Sequence, residues 1–177
     1  MNHQASVYGM NNVTHLGFFD IPMLTSIPNL VYLAPTNNEE LLAMTEYAVH
    51  QHEHPVAIRV PVGKFISTGV ADTTDYSVLN KFEVIREGKD IVLLGLGNFY
   101  HLANEVADEL LKEGISATVV NPKFASGIDE ELLESLKANH SVVFTLEDGV
   151  VEGGWGQRVA SFYGPSNMRV KNYGIAK

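Results

Sequence analysis

The sequence predicts an α/β protein with mostly parallel sheets, and three observations support this fold class. Short apolar runs of strand length alternate with longer amphipathic segments of helical length along most of the 177 residues. Gly, Pro, Asn and Asp residues separate these runs, as expected for connecting turns. Alternation at this spacing predicts βαβ units, in which helices cover both faces of a parallel sheet.

A change in composition divides the predicted fold into two units. Residues 65–80 (FISTGVADTTDYSVLN) are rich in Ser, Thr and Asp and show neither helical nor alternating periodicity. We therefore predict a linker over residues 65–80, between an incomplete first unit (residues 1–64) and a second unit (residues 81–177). The second unit should form a five-stranded, mostly parallel sheet.

In the first unit, the run VYLAP at residues 31–35 is short, apolar and ended by proline, which is typical of a buried strand. Thr36, with Glu39 three residues later, predicts a capping box for a helix that ends near His50. The apolar face of that helix is expected to hold Leu41, Leu42, Thr45, Ala48 and Val49. The stretch PVAIRVPVG predicts a second strand that ends near Pro61, because proline donates no ladder hydrogen bond.

The second unit continues the alternation. KFEVIREGKDIVLLGLG (residues 81–97) predicts two strands around a tight EGKD turn. NFYHLANEVADELLKEG predicts an amphipathic helix that ends at Gly114. The remaining predicted elements are a strand in SATVVN, a helix in DEELLESLKAN, a strand in SVVFTLE, a helix in EGGWGQRVASF and a strand in MRVKNYG.

Composition excludes several kinds of partner. The net charge is −9 and the 12 Lys and Arg residues are scattered, which argues against nucleic acid and anionic membranes. The absence of Cys excludes disulfides and thiolate sites. No run approaches the roughly 18 apolar residues of a membrane span, and residues 1–12 do not resemble a signal peptide. We expect a cytoplasmic protein that acts on a small-molecule substrate.

Two motifs have ordinary explanations. GLGNFY (residues 95–100) follows a strand and opens a helix, but the third glycine of a dinucleotide fingerprint is Tyr100 and no acidic residue ends the next strand. A tight strand-to-helix turn is therefore the preferred interpretation. HQHEH (residues 50–54) has three imidazoles that could hold a metal on a strand, but the motif falls at a helix end, which favours a solvated turn.

The stretch LEDGVVEGGWG carries a third candidate. Glu147 and Asp148 lie at the end of a predicted strand, on the usual ligand side of an open parallel sheet. Gly153, Gly154 and Gly156 then open a helix whose free amides could bind an anion. Close packing of these glycines against another chain is the alternative.

The stretch VTHLGFFD, at residues 13–20, places His15 in a recognisable frame. The run T-H-x-G-x-x-D, followed by I-P-N-x-x-x-x-A-P, resembles the pyrimidine-binding domain of the 1-deoxy-D-xylulose-5-phosphate synthase family, in the transketolase superfamily. REGKDIVLLGLGN, NPKFASGIDEELL, TLEDGVVEGGWG and VKNYGIAK resemble the family's C-terminal transketolase domain. The β subunits of 2-oxoacid dehydrogenases share these C-terminal motifs, so the motifs around His15 are the more specific.

The resemblance implies an enzyme that uses thiamine diphosphate and Mg²⁺. Such an enzyme transfers a two-carbon unit from pyruvate to an aldehyde with loss of carbon dioxide, and supplies isoprenoid, thiamine and pyridoxal biosynthesis. It also implies a homodimer. His15 takes the role of the family's histidine, which acts on substrate oxygens, and an imidazole can exchange a proton near neutrality.

The resemblance also implies parts that this sequence does not contain. The family's catalytic Glu and its diphosphate- and magnesium-binding domain precede the matched stretch, and the family continues beyond NYGI. We therefore expect the chain to be the C-terminal portion of a longer polypeptide. By itself it is expected to bind no cofactor and to be inactive.

Three predicted substrate-binding positions depart from the family. Gln4 and Val62 replace arginines that bind the substrate phosphate, and Asn11 replaces an Asp near the substrate. A divergent enzyme with an altered acceptor is one interpretation, in which Arg59 could compensate for the lost charge. A non-catalytic transketolase-like subunit that acts mainly in dimerisation is the other.

Overall fold

A computed structural model describes residues 2–7, 16–61 and 66–176. The strands are β1 (Asn2–Val7), β2 (Leu16–Gly17), β3 (Val31–Leu33), β4 (Val56–Pro61), β5 (Glu83–Arg86), β6 (Ile91–Gly95), β7 (Ala117–Asn121), β8 (Val142–Val150) and β9 (Arg169–Ile175). The helices are α1 (Asp20–Leu24), α2 (Asn38–His50), α3 (Phe99–Lys112), α4 (Glu130–Leu136) and α5 (Trp155–Tyr163). Strands and helices alternate as the sequence predicts, which confirms the α/β class.

The first sheet has the strand order β2-β1-β4-β3. Strands β1, β4 and β3 are parallel, with Gln4 opposite Val60 and Leu33 opposite Ile58. The two-residue strand β2 pairs with β1 in the antiparallel direction. Helix α2 connects β3 to β4, and because the strands are parallel this connection is the crossover that a βαβ unit requires.

The start and the buried face of α2 differ from the prediction. Its N-cap is Asn37, whose side chain accepts a hydrogen bond from the Glu40 amide at 2.8 Å. The Glu40 carboxylate in turn accepts from the Thr36 amide at 2.7 Å, so the capping residues are one position later than Thr36 and Glu39. The predicted apolar face was wrong as well, since Leu42 and Val49 are 70% and 66% exposed.

The buried stripe of α2 runs instead through Glu40, Met44 and the half-buried Tyr47, which are spaced as neighbours on one helical face. Glu40 is a carboxylate, and a pattern that counts apolar residues does not place it in the interior. Its burial is explained by partners from the second unit, which are described below.

The second sheet has the strand order β5-β7-β6-β8-β9. Strand β5 is antiparallel to β7, while the β6–β7, β6–β8 and β8–β9 pairs are all parallel. This confirms the predicted five-stranded, mostly parallel sheet. Helix α3 covers one face of the sheet, whereas α4 and α5 contribute to the core on the other.

Residues 66–82 contain neither helix nor strand and lie between the two sheets in sequence. The sheets nevertheless share one core, in which Ile21, Tyr32 and Ala57 belong to the same buried cluster as Leu94 and Trp155. Burial of each large apolar side chain contributes roughly 1.5–3 kcal/mol, so each unit stabilises the other. The exact domain bounds, 1–64 and 81–177, stay a prediction.

Beside α3, the second sheet carries an apolar groove of about 700 Å³. Its lining includes Leu102, Leu110, Phe144, Leu146, Tyr173 and Ile175. Leu102 and Tyr173 are both exposed, at 41% and 50%. In the ranges that the structure describes, no helix is long and apolar enough to cross a membrane.

Candidate functional site

The candidate site lies at the edge of the first sheet where β1 and β4 end. The two strands are parallel neighbours, with Ala5 opposite Pro61, so both end on the same side. The carboxyl ends of parallel strands are the usual ligand side of such a sheet. Asn11 and His15 follow β1 in sequence and Val62 follows β4. These three residues lie outside the described residues, so their predicted roles stay predictions.

Gln4 is described by its backbone alone, in β1 opposite Val60. The described chain resumes immediately after His15 at β2, which pairs Leu16 with Val7 at the end of β1. The Phe18 carbonyl then accepts a hydrogen bond from the Val150 amide at 2.9 Å, which connects this segment to the end of β8. Helix α1 begins two residues later.

A buried ionic cluster holds this segment in place. Arg59, on β4, is 2% exposed, and its Nε donates to Asp20 Oδ2 at 2.6 Å. Its Nη2 donates to the Gly17 carbonyl at 3.1 Å, and its Nη1 donates to Asp148 Oδ1 at the end of β8. The Tyr32 hydroxyl donates to Asp20 at 2.5 Å. The cluster therefore joins β4, β3, the start of α1 and the second sheet.

Charge balance explains why these groups tolerate burial. Burial by itself lowers the pKa of Arg59, but the facing carboxylates of Asp148 and Asp20 outweigh it and raise the pKa overall. Burial and the neighbouring Asp20 raise the pKa of Tyr32, so its hydroxyl stays protonated and donates. The cluster therefore places a cation between two carboxylates, and the Tyr32 hydroxyl donates to one of them.

Glu147 lies next to this cluster and occupies the predicted anion site. It is fully buried, and its carboxylate accepts from the Trp155 and Gly156 amides at 2.9 and 2.8 Å. A Cβ at Gly154 would lie 2.8 Å from that carboxylate, which explains the glycine. The prediction of a free anion site at the start of α5 was therefore wrong, because Glu147 already satisfies those donors.

Burial raises the pKa of Glu147 to about 7, against an ordinary value of 4.5. Hydrogen bonds from the two amides and the nearby Arg59 oppose this rise, while Asp148 adds to it. Glu147 is therefore a buried carboxyl group whose pKa lies near neutrality, and it lies beside the Arg59 cluster.

A second buried cation joins the two units about Lys123. This residue is 3% exposed, and its Nζ lies 3.2 Å from Glu40 and 2.9 Å from Glu83. It also donates to Thr74 Oγ1 at 2.9 Å, while Asp72 is 3.7 Å away. The Lys123 cluster thus holds α2, β5 and residues of the predicted linker together.

A model of the transketolase C-terminal domain matches residues 80–173, more than half of the chain. The chain belongs to the transketolase C-terminal domain family. The match begins after the first sheet and extends almost to the end of β9. It therefore includes Lys123, Glu147 and Asp148, whereas Arg59 and Asp20 precede it.

Related proteins match the transketolase-family chain over most of its length. It is 36% identical over 157 residues to the 1-deoxy-D-xylulose-5-phosphate synthase of Acaryochloris marina (strain MBIC 11017), covering 88% of this chain and 25% of that protein. It is 34% identical over 175 residues to the synthase of Lysinibacillus sphaericus (strain C3-41), covering 97% and 28% respectively. The chain thus spans about a quarter of the length of these curated relatives.

Among solved structures, a protein described as "Split gene transketolase, inactive beta4 tetramer" matches with a TM-score of 0.80 and 26% identity. The match covers 99% of this chain and 55% of that chain. Both sheets of this transketolase-family chain are therefore included, which confirms the predicted resemblance across its two halves.

The remaining motifs have structural roles in the transketolase fold. A Cβ at Gly95 would lie 2.6 Å from Tyr100 Cα, and Gly97 has a φ of +54°, so GLGNFY forms the tight turn that was preferred to a nucleotide site. His50 and His52 are exposed, and His50 Nδ1 lies 2.9 Å from the Glu46 carbonyl. These positions support the solvated turn predicted for HQHEH.

Within residues 2–7, 16–61 and 66–176, no group of three or more His, Asp or Glu side chains is placed to hold a metal ion. Asp20 and Asp148 are bound by Arg59, and Glu147 is bound by backbone amides. These three carboxylates are therefore already bound within the chain.

Sequence reasoning missed the partners of Arg59, although one signal was available. Asp20 is the last residue of the T-H-x-G-x-x-D run, and it lies 39 positions before Arg59 in the chain. Asp148 was recognised at a strand end, but its partner is 89 positions away. The structure brings these three residues together, with the Arg59 guanidinium bound to both carboxylates.

Proposed function

We propose that this chain forms one wall of the substrate site in a thiamine-diphosphate-dependent transferase resembling 1-deoxy-D-xylulose-5-phosphate synthase. The observation that carries this proposal is the Arg59 cluster, which anchors the chain immediately after His15 at the edge where β1 and β4 end. The matches to synthases over 88% and 97% of the chain support the same assignment.

The proposed reaction moves a two-carbon unit from pyruvate to an aldehyde, with loss of carbon dioxide. In this proposal His15 is the catalytic residue, and its imidazole holds or releases a proton at a substrate oxygen. We assign thiamine diphosphate and Mg²⁺ to the remainder of the parent polypeptide, and we propose a homodimer as the active form. The chain alone is then inactive.

The acceptor is proposed to be an aldehyde without a phosphate group. A bound phosphate requires charged, preferably bidentate donors, and Gln4 and Val62 supply no charge. Arg59 does not compensate, because its guanidinium is buried and bound to Asp20 and Asp148. Losing each charged hydrogen bond costs roughly 1.5–3 kcal/mol, or about 10- to 150-fold in affinity.

The product of the complete reading frame tests the activity. Carbon dioxide release from pyruvate should depend on an added aldehyde, and His15→Ala should lower kcat/KM by about 10²- to 10⁴-fold. His52→Ala is the matched control, because His52 is an exposed imidazole in a turn. No aldehyde-dependent release by the unaltered protein, or equal activity of the two variants, would contradict the proposal.

The acceptor is tested in the same protein by comparing kcat/KM for glyceraldehyde 3-phosphate and glyceraldehyde. We expect glyceraldehyde to be the better substrate, and we expect Gln4→Arg with Val62→Arg to reverse the preference. A strong preference for the phosphorylated aldehyde before any substitution would exclude this acceptor assignment.

The assignment of the cofactor to other parts of the parent is tested on the 177-residue chain. Calorimetric titration with thiamine diphosphate and Mg²⁺ should give no measurable binding. Micromolar binding would show that residues of this chain, including those outside the described ranges, suffice for the site.

A non-catalytic assembly subunit is the second candidate function, and the apolar groove beside α3 favours it. The matched solved structure is described as an inactive tetramer, and we propose that a second copy of this chain covers the groove. Leu102→Glu should then lower the sedimentation mass, whereas Leu42→Glu on the exposed side of α2 should not. An unchanged mass in both variants would exclude the groove as the interface.

A further inference from the structure

The segment that follows His15 is fixed by a fork of hydrogen bonds from one side chain. Arg59 Nε donates to Asp20 Oδ2 at 2.6 Å, and Nη2 donates to Asp20 Oδ1 at 3.2 Å. The same Nη2 donates to the Gly17 carbonyl at 3.1 Å. A planar guanidinium has these donors in fixed directions, so Arg59 sets both the position and the orientation of the segment from Gly17 to Asp20.

The same segment is attached to the second sheet at two points. Asp148, at the end of β8, accepts from Arg59 Nη1. Two residues further along the chain, the Val150 amide donates to the Phe18 carbonyl at 2.9 Å. The end of β8 therefore binds Arg59 through Asp148. It also binds the Gly17–Asp20 segment, which Arg59 orients, through Val150.

Arg59 is not placed to contact a substrate itself. Its side chain is 1% exposed, and it is bound by two carboxylates and a backbone carbonyl. Any influence on a reaction at the sheet edge must therefore pass through the residues that it holds. Of these, Gly17 is two positions from His15 in the sequence.

We propose that Arg59 is a positioning residue, which fixes the backbone after His15 and thereby the geometry of the substrate site, with Asp148 as its support from the second sheet. The inference rests on the proposed function, because it assumes that His15 is catalytic. It assigns the second unit a specific part in that function, which is to orient the site through the end of β8.

The test compares three variants of the complete reading-frame product. Arg59→Lys keeps the buried positive charge but loses the fork. Asp148→Asn keeps the shape of the side chain and one of its acceptor oxygens. This variant serves in place of Arg59→Lys if Arg59→Lys does not fold. Lys123→Met is the matched control, because it removes a cation that is equally buried between the two units but makes no contact with the segment from Gly17 to Asp20.

Two measurements separate positioning from stability. The first is kcat and KM for pyruvate, with the melting temperature of each variant. The second is hydrogen–deuterium exchange, followed by mass spectrometry of peptides covering residues 16–24 and 66–83. We expect Arg59→Lys to lower kcat by about 10- to 100-fold with KM almost unchanged, because small misplacements near reacting groups cost this much.

Exchange should accelerate in residues 16–24 in Arg59→Lys, and in residues 66–83 in Lys123→Met. The inference is overturned if the decrease in kcat is explained by the decrease in melting temperature to the same extent in Arg59→Lys and Lys123→Met. It is also overturned if hydrogen exchange of residues 16–24 is unchanged in Arg59→Lys. If the unaltered protein has no activity, the proposed function fails, and the exchange measurement alone decides whether Arg59 fixes the segment.

Discussion

Two buried cations join the halves of this molecule, and they do so in different ways. Arg59 directs a planar fork at a carboxylate, a backbone carbonyl and a second carboxylate. Lys123 presents a point charge to Glu40, Glu83 and the hydroxyl of Thr74. Each pairs a buried cation with carboxylates from distant parts of the chain, but only the Arg59 contacts fix the direction of the chain.

The two environments also differ in their access to solvent. Asp20 and Asp148 are both buried, whereas the Glu83 side chain beside Lys123 is 53% exposed. Water can therefore replace part of the Lys123 cluster but little of the Arg59 cluster. We infer that the Arg59 cluster orients the site and that the Lys123 cluster mainly fastens the two sheets together.

The largest expected effect follows from Arg59→Met. Removing the cation leaves two buried carboxylates without compensation, which should lower the free energy of unfolding by about 3–5 kcal/mol. Urea denaturation monitored by circular dichroism measures this loss. Adding Asp148→Asn should recover part of it, because one of the uncompensated charges is then absent. A loss no larger than that of Lys123→Met would show that the Arg59 cluster is not the more strongly stabilising of the two.

The pH dependence of stability should differ between the clusters because Glu147 adjoins only one of them. Its pKa is raised from 4.5 to about 7, so the folded state keeps a proton that the unfolded state releases earlier. This contribution is fully present below pH 4.5 and is lost as the pH rises through 7. The loss should be about 3 kcal/mol.

Urea midpoints measured between pH 5 and pH 8 test this effect. Glu147→Gln should show a smaller decrease over this window, although it also loses one amide hydrogen bond to α5. Lys123→Met should retain the full decrease, since it leaves Glu147 in place. A midpoint for the unaltered chain that rises over the window would reverse the assigned sign.

Lys123→Met should cost less, about 2 kcal/mol, because Glu83 can recover its hydration while Glu40 stays buried. The same urea denaturation measures it. Lys123→Arg is a useful companion, since it keeps the charge but needs more space than a lysine. If Lys123→Met lowers the free energy of unfolding more than Arg59→Met does, the exposure of Glu83 does not explain the difference in stability between the two clusters.

The smallest effect should come from the cap of α2, which positions Glu40 in the Lys123 cluster. Asn37→Ala removes the acceptor for the Glu40 amide and should cost about 1 kcal/mol. Asn37→Asp keeps an acceptor and should be nearly neutral. Neither substitution should change hydrogen exchange in residues 16–24. Faster exchange there would mean that the two clusters are coupled.

The order and type of most elements follow from the amino-acid sequence alone. Buried parallel strands are continuous apolar runs such as IVLLG and ATVVN, and the amphipathic helix α3 has a clear helical period, so periodicity finds both. The motif around His15 gave the family, which the comparisons support. The roles of His15, Gln4, Asn11 and Val62 stay predictions.

The burial of particular charged residues, and the partners that they meet, can be seen only in the folded chain. Glu40 lies on the buried face of α2 because its carboxylate binds Lys123 and Asn121, which belong to the second unit. Arg59 and Asp148 are 89 positions apart in sequence, and the apparent anion site at α5 is filled by Glu147. A periodic pattern reports burial of apolar surface, whereas a buried charge depends on a partner that only folding brings within reach.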